Sequence, residues 1–101
     1  MKLKLRQVIR AMVVGIKNIT DQKVGTNDLF RRIKAGQITV GDLEDEFELD
    51  SLDVIELEMF IEKTLPGVDF INQGLAGILK DNPGMTLRVV AEKIVAVFSD
   101  K

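Results

Sequence analysis

Apolar residues recur every three or four positions near both ends of this chain and in its middle, which is the spacing of an amphipathic helix. The pattern predicts helices over about residues 3–18, 51–64 and 86–98. Residues 70–79 are apolar enough for a fourth helix, but Gly74 and Gly77 loosen it, so we expect it to be short or mobile. The β-branched residues of the last segment do not alternate, which favours a helix over a strand there.

Residues 20–50 are polar and are interrupted by three glycines. A compact domain rarely contains about thirty residues without secondary structure. We therefore expect at least one helical turn around residues 29–33, capped by Asn27 or Asp28. Farther along, Leu65-Pro66-Gly67 should end the middle helix, because proline disfavours a helical residue before it.

The 101 residues, 46% apolar and 30% charged, suit a single domain spanning residues 1–101. Thr86 is the predicted N-cap of the last helix. The predicted fold class is all-α: a small four-helix bundle with three main helices, one short helix and a long loop between the first and the second.

Cysteine and histidine are both absent, which excludes disulfides, thiolate nucleophiles, imidazole bases and the usual zinc ligands. The carboxylates do not have the spacing of an EF-hand loop, so no metal site is predicted. Residues 1–6 interleave apolar and basic side chains, and no stretch approaches the roughly 20 apolar residues of a membrane span. We expect a cytoplasmic protein, a monomer without stable membrane insertion.

The net charge of −2 conceals a strong asymmetry. Residues 1–34 hold nine Lys or Arg against two Asp, giving +7, while residues 35–64 hold ten Asp or Glu against one Lys, giving −9. The acidic middle predicts a partner with a basic surface. Because Trp and Tyr are absent and the isoelectric point is about 5.1, nucleic-acid binding is not expected.

The segment from Asp50 to Lys63 carries two apolar strips when it is drawn as a helix, although packing against one core requires only one. The first strip, assigned to the core, consists of Val54, Leu57, Ile61 and Leu65. The second strip consists of Leu52, Ile55 and Met59, flanked by Asp53, Glu56, Glu58 and Glu62.

Ser51 stands at the predicted start of this helix, where unpaired backbone amides and the positive end of the helix dipole favour a bound phosphate. The alternative is purely structural. Asp50 or Ser51 would then be only an N-cap, with Asp53 favourable in the first turn.

The whole segment resembles helix two of acyl carrier proteins, whose pattern is Asp-Ser-Leu, an acidic residue, and then alternating apolar and acidic positions. The match runs from Asp50 to Lys63 without a gap and includes Met59. The departures are Phe47-Glu48-Leu49 where the family usually has a small residue, Glu58 at a usually apolar position, Lys63 at a usually acidic one, and a longer chain.

The resemblance implies a four-helix bundle of acyl-carrier type in which Ser51, between Asp50 and Leu52, carries 4′-phosphopantetheine. A phosphopantetheinyl transferase would attach this arm, and its thiol would hold acyl groups for enzymes of fatty-acid, specialised-lipid or polyketide synthesis. The residues implied to dock the basic patches of these enzymes are Asp53, Glu56, Met59 and Glu62, helped by the acidic run Asp42, Glu44, Asp45, Glu46 and Glu48. The residues expected to line an acyl pocket are Ile55, Leu57, Ile61, Phe70, Leu75 and Ile78.

Two other functions stay open. The chain could be a carrier-like interaction protein in which Ser51 is never modified and the acidic helix docks a partner. It could instead be a small carboxylate-dependent enzyme, which is disfavoured because no paired acids are placed with a nucleophile or base. The expected protein is not an enzyme, so no catalytic residue is predicted.

Overall fold

The computed structural model describes residues 2–98, and within this range the fold is a small all-helical bundle without a β-strand. The all-α prediction is therefore confirmed. The helices are α1 Leu5–Ile19, α2 Thr26–Lys34, α3 Val40–Asp45, α4 Ser51–Thr64 and α5 Leu87–Phe98. None of them is both long enough and apolar enough to cross a membrane.

Helix α1 is the central element, since it packs against α4, α2 and α5. Its apolar residues include Val8, Met12 and Ile16, which are completely buried. Gly15 allows α1 and α4 to approach closely, because a Cβ atom there would lie 2.5 Å from Leu57 Cδ1 and 2.9 Å from Phe60 Cδ2. Glycine has a low helix propensity, but at position 15 it is needed because a larger residue would clash with α4.

The segment between the first and second predicted helices contains α2 and α3. The predicted turn around residues 29–33 is confirmed as α2, but its N-cap is Gly25, without a side-chain hydrogen bond, and not Asn27 or Asp28. Thr39 caps α3, its hydroxyl accepting a hydrogen bond from the Asp42 amide. The expected long loop is therefore largely structured.

A bidentate ion pair joins α2 to the end of α3. The Arg32 guanidinium donates from Nη1 to Glu46 Oε2 at 2.5 Å and from Nη2 to Glu46 Oε1 at 2.8 Å. This hydrogen bonding, with the positive charge of Arg32, lowers the pKa of Glu46 below its ordinary value against a smaller opposing effect of burial. The pKa of Arg32 is raised for the same reason.

The predicted short helix over residues 70–79 is wrong, because residues 70–81, here called the turn segment, form a succession of turns. Gly74 and Gly77 adopt positive φ angles of 73° and 78°, which end any helical run. Two carboxylates of α4 take up backbone donors of the segment: Glu62 Oε2 accepts from the Phe70 amide at 2.6 Å, and Glu58 Oε2 accepts from the Leu79 and Lys80 amides at 2.9 and 3.1 Å. These three backbone amides therefore have hydrogen-bond acceptors although the segment is not helical.

The turn segment leads into α5 through a short backbone pairing with the α2–α3 connection. Thr39 and Thr86 form an isolated antiparallel bridge, flanked by hydrogen bonds from the Val40 amide to Met85 O and from the Leu87 amide to Ile38 O, both 2.8 Å. The Thr86 hydroxyl accepts from the Val89 amide at 3.1 Å, as predicted for the N-cap of the last helix.

Candidate functional site

A tight turn after α3 fixes where α4 begins. Phe47 and Leu49 are buried on either side of Glu48, and the Thr20 hydroxyl donates to Phe47 O at 2.9 Å. Glu48 has a φ of 59°, the left-handed conformation that glycine adopts most easily. The two buried side chains and the left-handed Glu48 between them thus define the path of the chain into α4.

Asp50 caps α4. Its Oδ1 accepts a hydrogen bond from the Asp53 amide at 2.9 Å, and Asp53 Oδ2 accepts from the Asp50 amide at 3.1 Å. This reciprocal pair is a capping box. Of the two N-cap candidates in the sequence, Asp50 is the one that performs this role.

Ser51 is the first residue of α4 and is exposed. Among the described residues, no hydrogen bond involves its hydroxyl or the backbone amides of Ser51 and Leu52. The hydroxyl is therefore accessible to a modifying enzyme, beside two donors that a bound phosphate could use.

Two depressions open beside Ser51. The shallower, of about 310 Å³, is bordered by the acidic side chains of Glu44, Glu48 and Asp50. The smaller, of about 90 Å³, lies between α3, α4 and the turn segment, with Val40 and Val54 among its lining residues. The serine thus stands between an acidic surface and a small crevice whose lining is mixed, with Glu44 and Lys80 beside the two valines.

An exposed apolar strip runs along α4 away from Ser51. Leu52 and Met59 are 72% and 61% exposed, and Ile55 lies half-buried between them. Beyond Met59 lies an open groove of about 670 Å³, here called the α4 groove, whose far wall includes Ile71, 74% exposed. Its lining residues are Glu56, Met59, Phe60, Glu62, Lys63, Val68, Asp69 and Ile71.

The acids predicted to dock partners divide into two groups. Glu56 is exposed and lines the α4 groove, whereas Asp53 and Glu62 are half-buried and accept the backbone hydrogen bonds described above. In the acidic run, Asp42 belongs to the capping box of α3 and Glu46 binds Arg32. Glu44, Asp45 and Glu48 are exposed. The docking role itself stays a prediction.

The residues predicted for an acyl pocket pack as core. Leu57 and Ile61 have no exposed surface, Phe70 and Ile78 are buried, and Ile55 and Leu75 are half-buried. The Phe70 ring stacks edge-on against Phe98, with centroids 6.2 Å apart. None of these six residues lines the grooves and depressions described above. An acyl chain inside the bundle would have to displace part of this core.

Sequence reasoning missed the roles of two residues near α4, Glu58 and Ile71. Glu58 is buried on the core side of α4, where its carboxylate anchors the turn segment. The signal was its position among apolar residues of the first strip. Ile71 lies in the segment predicted as a short helix, and its exposure depends on turns that the periodicity did not reveal.

Within residues 2–98, no three acidic side chains are grouped closely enough to hold a metal ion. Comparison of the chain with models of protein families, with curated proteins and with solved structures found no match.

Proposed function

We propose that this protein is an acyl carrier protein that acts as a cytoplasmic monomer, with 4′-phosphopantetheine attached to the Ser51 hydroxyl. The arm supplies a thiol that holds acyl groups as thioesters. The proposal rests on one observation at the start of α4. Asp50 caps the helix, so the exposed Ser51 hydroxyl is left without a structural partner.

The residues around Ser51 suit such an arm. The phosphodiester would stand beside the amides of Ser51 and Leu52 at the positive end of a helix of 14 residues. The exposed strip from Leu52 to Met59 then offers a partner enzyme an apolar contact, and Glu56 with the acids of residues 44–50 offers it a negative field. The protein presents a load and leaves the chemistry to its partners, such as synthases and acyl-transfer enzymes.

Intact mass after co-expression with a phosphopantetheinyl transferase tests this directly. The wild-type chain should gain the mass of one phosphopantetheine, and Ser51→Ala should gain none. Thr64→Ala, which removes an exposed hydroxyl at the other end of α4, is the matched control and should be modified like the wild type. Addition to the Ser51→Ala variant would move the attachment site.

The second candidate function is an unmodified interaction protein, favoured by the same exposed side chains, Leu52, Met59 and Ile71. These residues suit protein docking whether or not Ser51 is modified. A wild-type chain that stays unmodified when its transferase modifies a known carrier in the same cells would favour this second function.

A further inference from the structure

A second groove, here called the α1/α2 groove, lies between the start of α1 and the outer side of α2. Its volume is about 390 Å³, within the range of small-molecule sites. The lining residues are Lys4, Leu5, Arg6, Ile9, Phe30 and Lys34. Phe30 also forms a wall of a neighbouring groove of about 260 Å³ that includes Arg10 and Val13, so the two grooves adjoin along the α1–α2 seam.

The α1/α2 groove is lined by both apolar and positively charged side chains. Leu5, Ile9 and Phe30 are apolar, and the other three residues are exposed cations. No acidic residue lines either of the adjoining grooves. The ion pairs found among the described residues join Arg31 to Asp28, Arg32 to Glu46 and Arg88 to Glu92, so they involve none of these three cations. The groove therefore complements a ligand with an apolar body and a negative head.

This groove lies on a different side of α1 from the candidate site. Gly15 faces Leu57 and Phe60 of α4. At about 100° per residue, the α1 residues of the groove lie between roughly 80° (Leu5) and roughly 180° (Arg6) from Gly15 around the helix axis. A ligand in the α1/α2 groove would therefore not compete with a load or a partner at α4.

We propose that the α1/α2 groove binds a single-chain anionic amphiphile, a long-chain carboxylate or alkyl phosphate. The alkyl chain lies between the half-buried side chains of Leu5 and Phe30, and the anionic head lies among Lys4, Arg6 and Lys34. A bilayer surface suits the groove less well, because none of its apolar side chains is exposed: Leu5 and Phe30 are half-buried and Ile9 is buried. A nucleic acid would leave the apolar floor unmatched. The proposal is independent of the modification of Ser51.

The chain contains no Trp, so Phe30→Trp places a single fluorophore in the groove. Titration with dodecyl phosphate below its micelle concentration should give a saturable change in emission. Each methylene added to the alkyl chain should tighten binding about three- to fourfold until the groove is full. Dodecyltrimethylammonium and inorganic phosphate, which each reproduce only half of the ligand, should not saturate. Nitrogen-15 NMR of the wild-type chain, with shifts expected at Leu5, Ile9 and Phe30, gives the same information without the substitution.

Charge reversal identifies the head-group site. Arg6→Glu with Lys34→Glu should weaken binding at least tenfold. Lys23→Glu with Lys93→Glu makes the same change in net charge at exposed positions outside both grooves and should leave the affinity within about twofold. Ser51→Ala should bind like the wild type, which keeps this test separate from that of the carrier function.

Four results would overturn the proposal. They are equal weakening by both charge-reversed pairs, saturation by inorganic phosphate, NMR shifts confined to the α4 groove around Met59 and Ile71, and binding to phosphatidylglycerol vesicles without affinity for the free amphiphile. The last result would assign these cations to a membrane surface.

Discussion

Asp50 and Ser51 have separate roles at the start of α4: Asp50 caps the helix, and Ser51 offers a free hydroxyl. The carboxylate of Asp50 satisfies the Asp53 amide and thereby fixes the first turn of α4. The Ser51 hydroxyl is then free of any structural duty, so chemistry on it would not disturb the helix. Glu48, in its left-handed conformation, sets the direction from which the chain enters this turn.

This division predicts unequal effects of two neighbouring substitutions. Asp50→Ala should lower the free energy of unfolding by about 0.5–2 kcal/mol, because the Asp53 amide loses its acceptor. Ser51→Ala should change it by less than about 0.5 kcal/mol, as expected for an exposed side chain without partners. Urea denaturation followed by circular dichroism measures both. A larger loss for Ser51→Ala than for Asp50→Ala would return the capping role to the serine.

At the scale of the elements, α4 organises the protein through its two acidic anchors as well as its apolar face. Glu58 and Glu62 hold the turn segment that replaces the predicted fourth helix. Helix α1 supplies the opposing face, with Gly15 removing the side chain that would keep the two helices apart. The irregular turn segment is thus held in position by two carboxylates of α4.

Removal of the Glu58 carboxylate should uncouple the turn segment. Glu58→Ala leaves the buried Leu79 amide without an acceptor and should cost about 3 kcal/mol, whereas Glu58→Gln keeps one acceptor oxygen and should cost about 1 kcal/mol. Glu56→Ala, at an exposed position on the same helix, is the control and should change stability by less than about 0.5 kcal/mol. Hydrogen exchange at Leu79 and Lys80 should accelerate in the alanine variant. Equal behaviour of the two alanine variants would contradict the anchoring role.

The Arg32–Glu46 pair should make the junction of α2 and α3 sensitive to acid. Its hydrogen bonds lower the pKa of Glu46, so the stabilisation is complete above the ordinary carboxyl value of 4.5 and is lost as pH falls through the lower folded-state value. Because both side chains are partly exposed, the contribution is about 0.2–1 kcal/mol. Arg32→Gln should therefore be less stable than wild type near neutral pH and equal to it in strong acid. A difference that persists unchanged in acid would mean that Arg32 acts by packing.

Periodicity predicted α1, α4 and α5 to within a few residues, since each buries a continuous apolar stripe. It did not predict the turns at residues 70–79, because the decisive contacts come from Glu58 and Glu62, which lie on α4 and are distant in sequence. The sequence left Asp50 and Ser51 as alternative N-caps, and the side-chain hydrogen bond to the Asp53 amide identifies Asp50. The spacing of apolar residues predicts which face of a helix is buried. It does not predict hydrogen bonds between a side chain and backbone groups far along the sequence, because these depend on the assembled fold.

At the scale of the whole molecule, charge is segregated along the chain, although Arg32 and Glu46 join the two parts. The cations of residues 1–34 include those of the α1/α2 groove, and the acids of residues 35–64 include those around Ser51 and α4. A partner with a basic patch is therefore steered towards α4 and repelled from the α1–α2 side.

Steering predicts a specific kinetic effect at Glu56. Glu56→Lys should slow modification by the transferase about tenfold at low ionic strength, mainly through the association rate, and the difference should shrink as salt rises. Glu92→Lys makes the same charge change on α5 and should have little effect. Glu56 is a cleaner probe than Glu62, whose carboxylate also binds the Phe70 amide. Equal rates for all three proteins at low salt would place the electrostatic contact elsewhere.

If Ser51 carries an acyl chain as proposed, the packed core and the Glu58 anchor would decide whether that chain enters the bundle. The crevice beside Ser51 holds only about 90 Å³, and the apolar side chains behind it are already packed, so a chain can enter only by displacing the turn segment. That displacement gives up the two hydrogen bonds to the Glu58 carboxylate, at about 1.5–3 kcal/mol each. Burial returns about 0.8 kcal/mol per methylene, so entry should require on the order of four to eight methylenes.

Short acyl groups should therefore leave the amides of residues 70–81 exchanging as in the unloaded carrier, whereas longer ones should protect them and raise the melting temperature. Glu58→Gln weakens the anchor and should shift this threshold to shorter chains. Hydrogen exchange and thermal melting of the apo, holo and acylated forms measure both effects. If long chains instead protected only Met59 and Ile71 while residues 75–81 exchanged unchanged, the chain would lie in the α4 groove and the interior would be ordinary core.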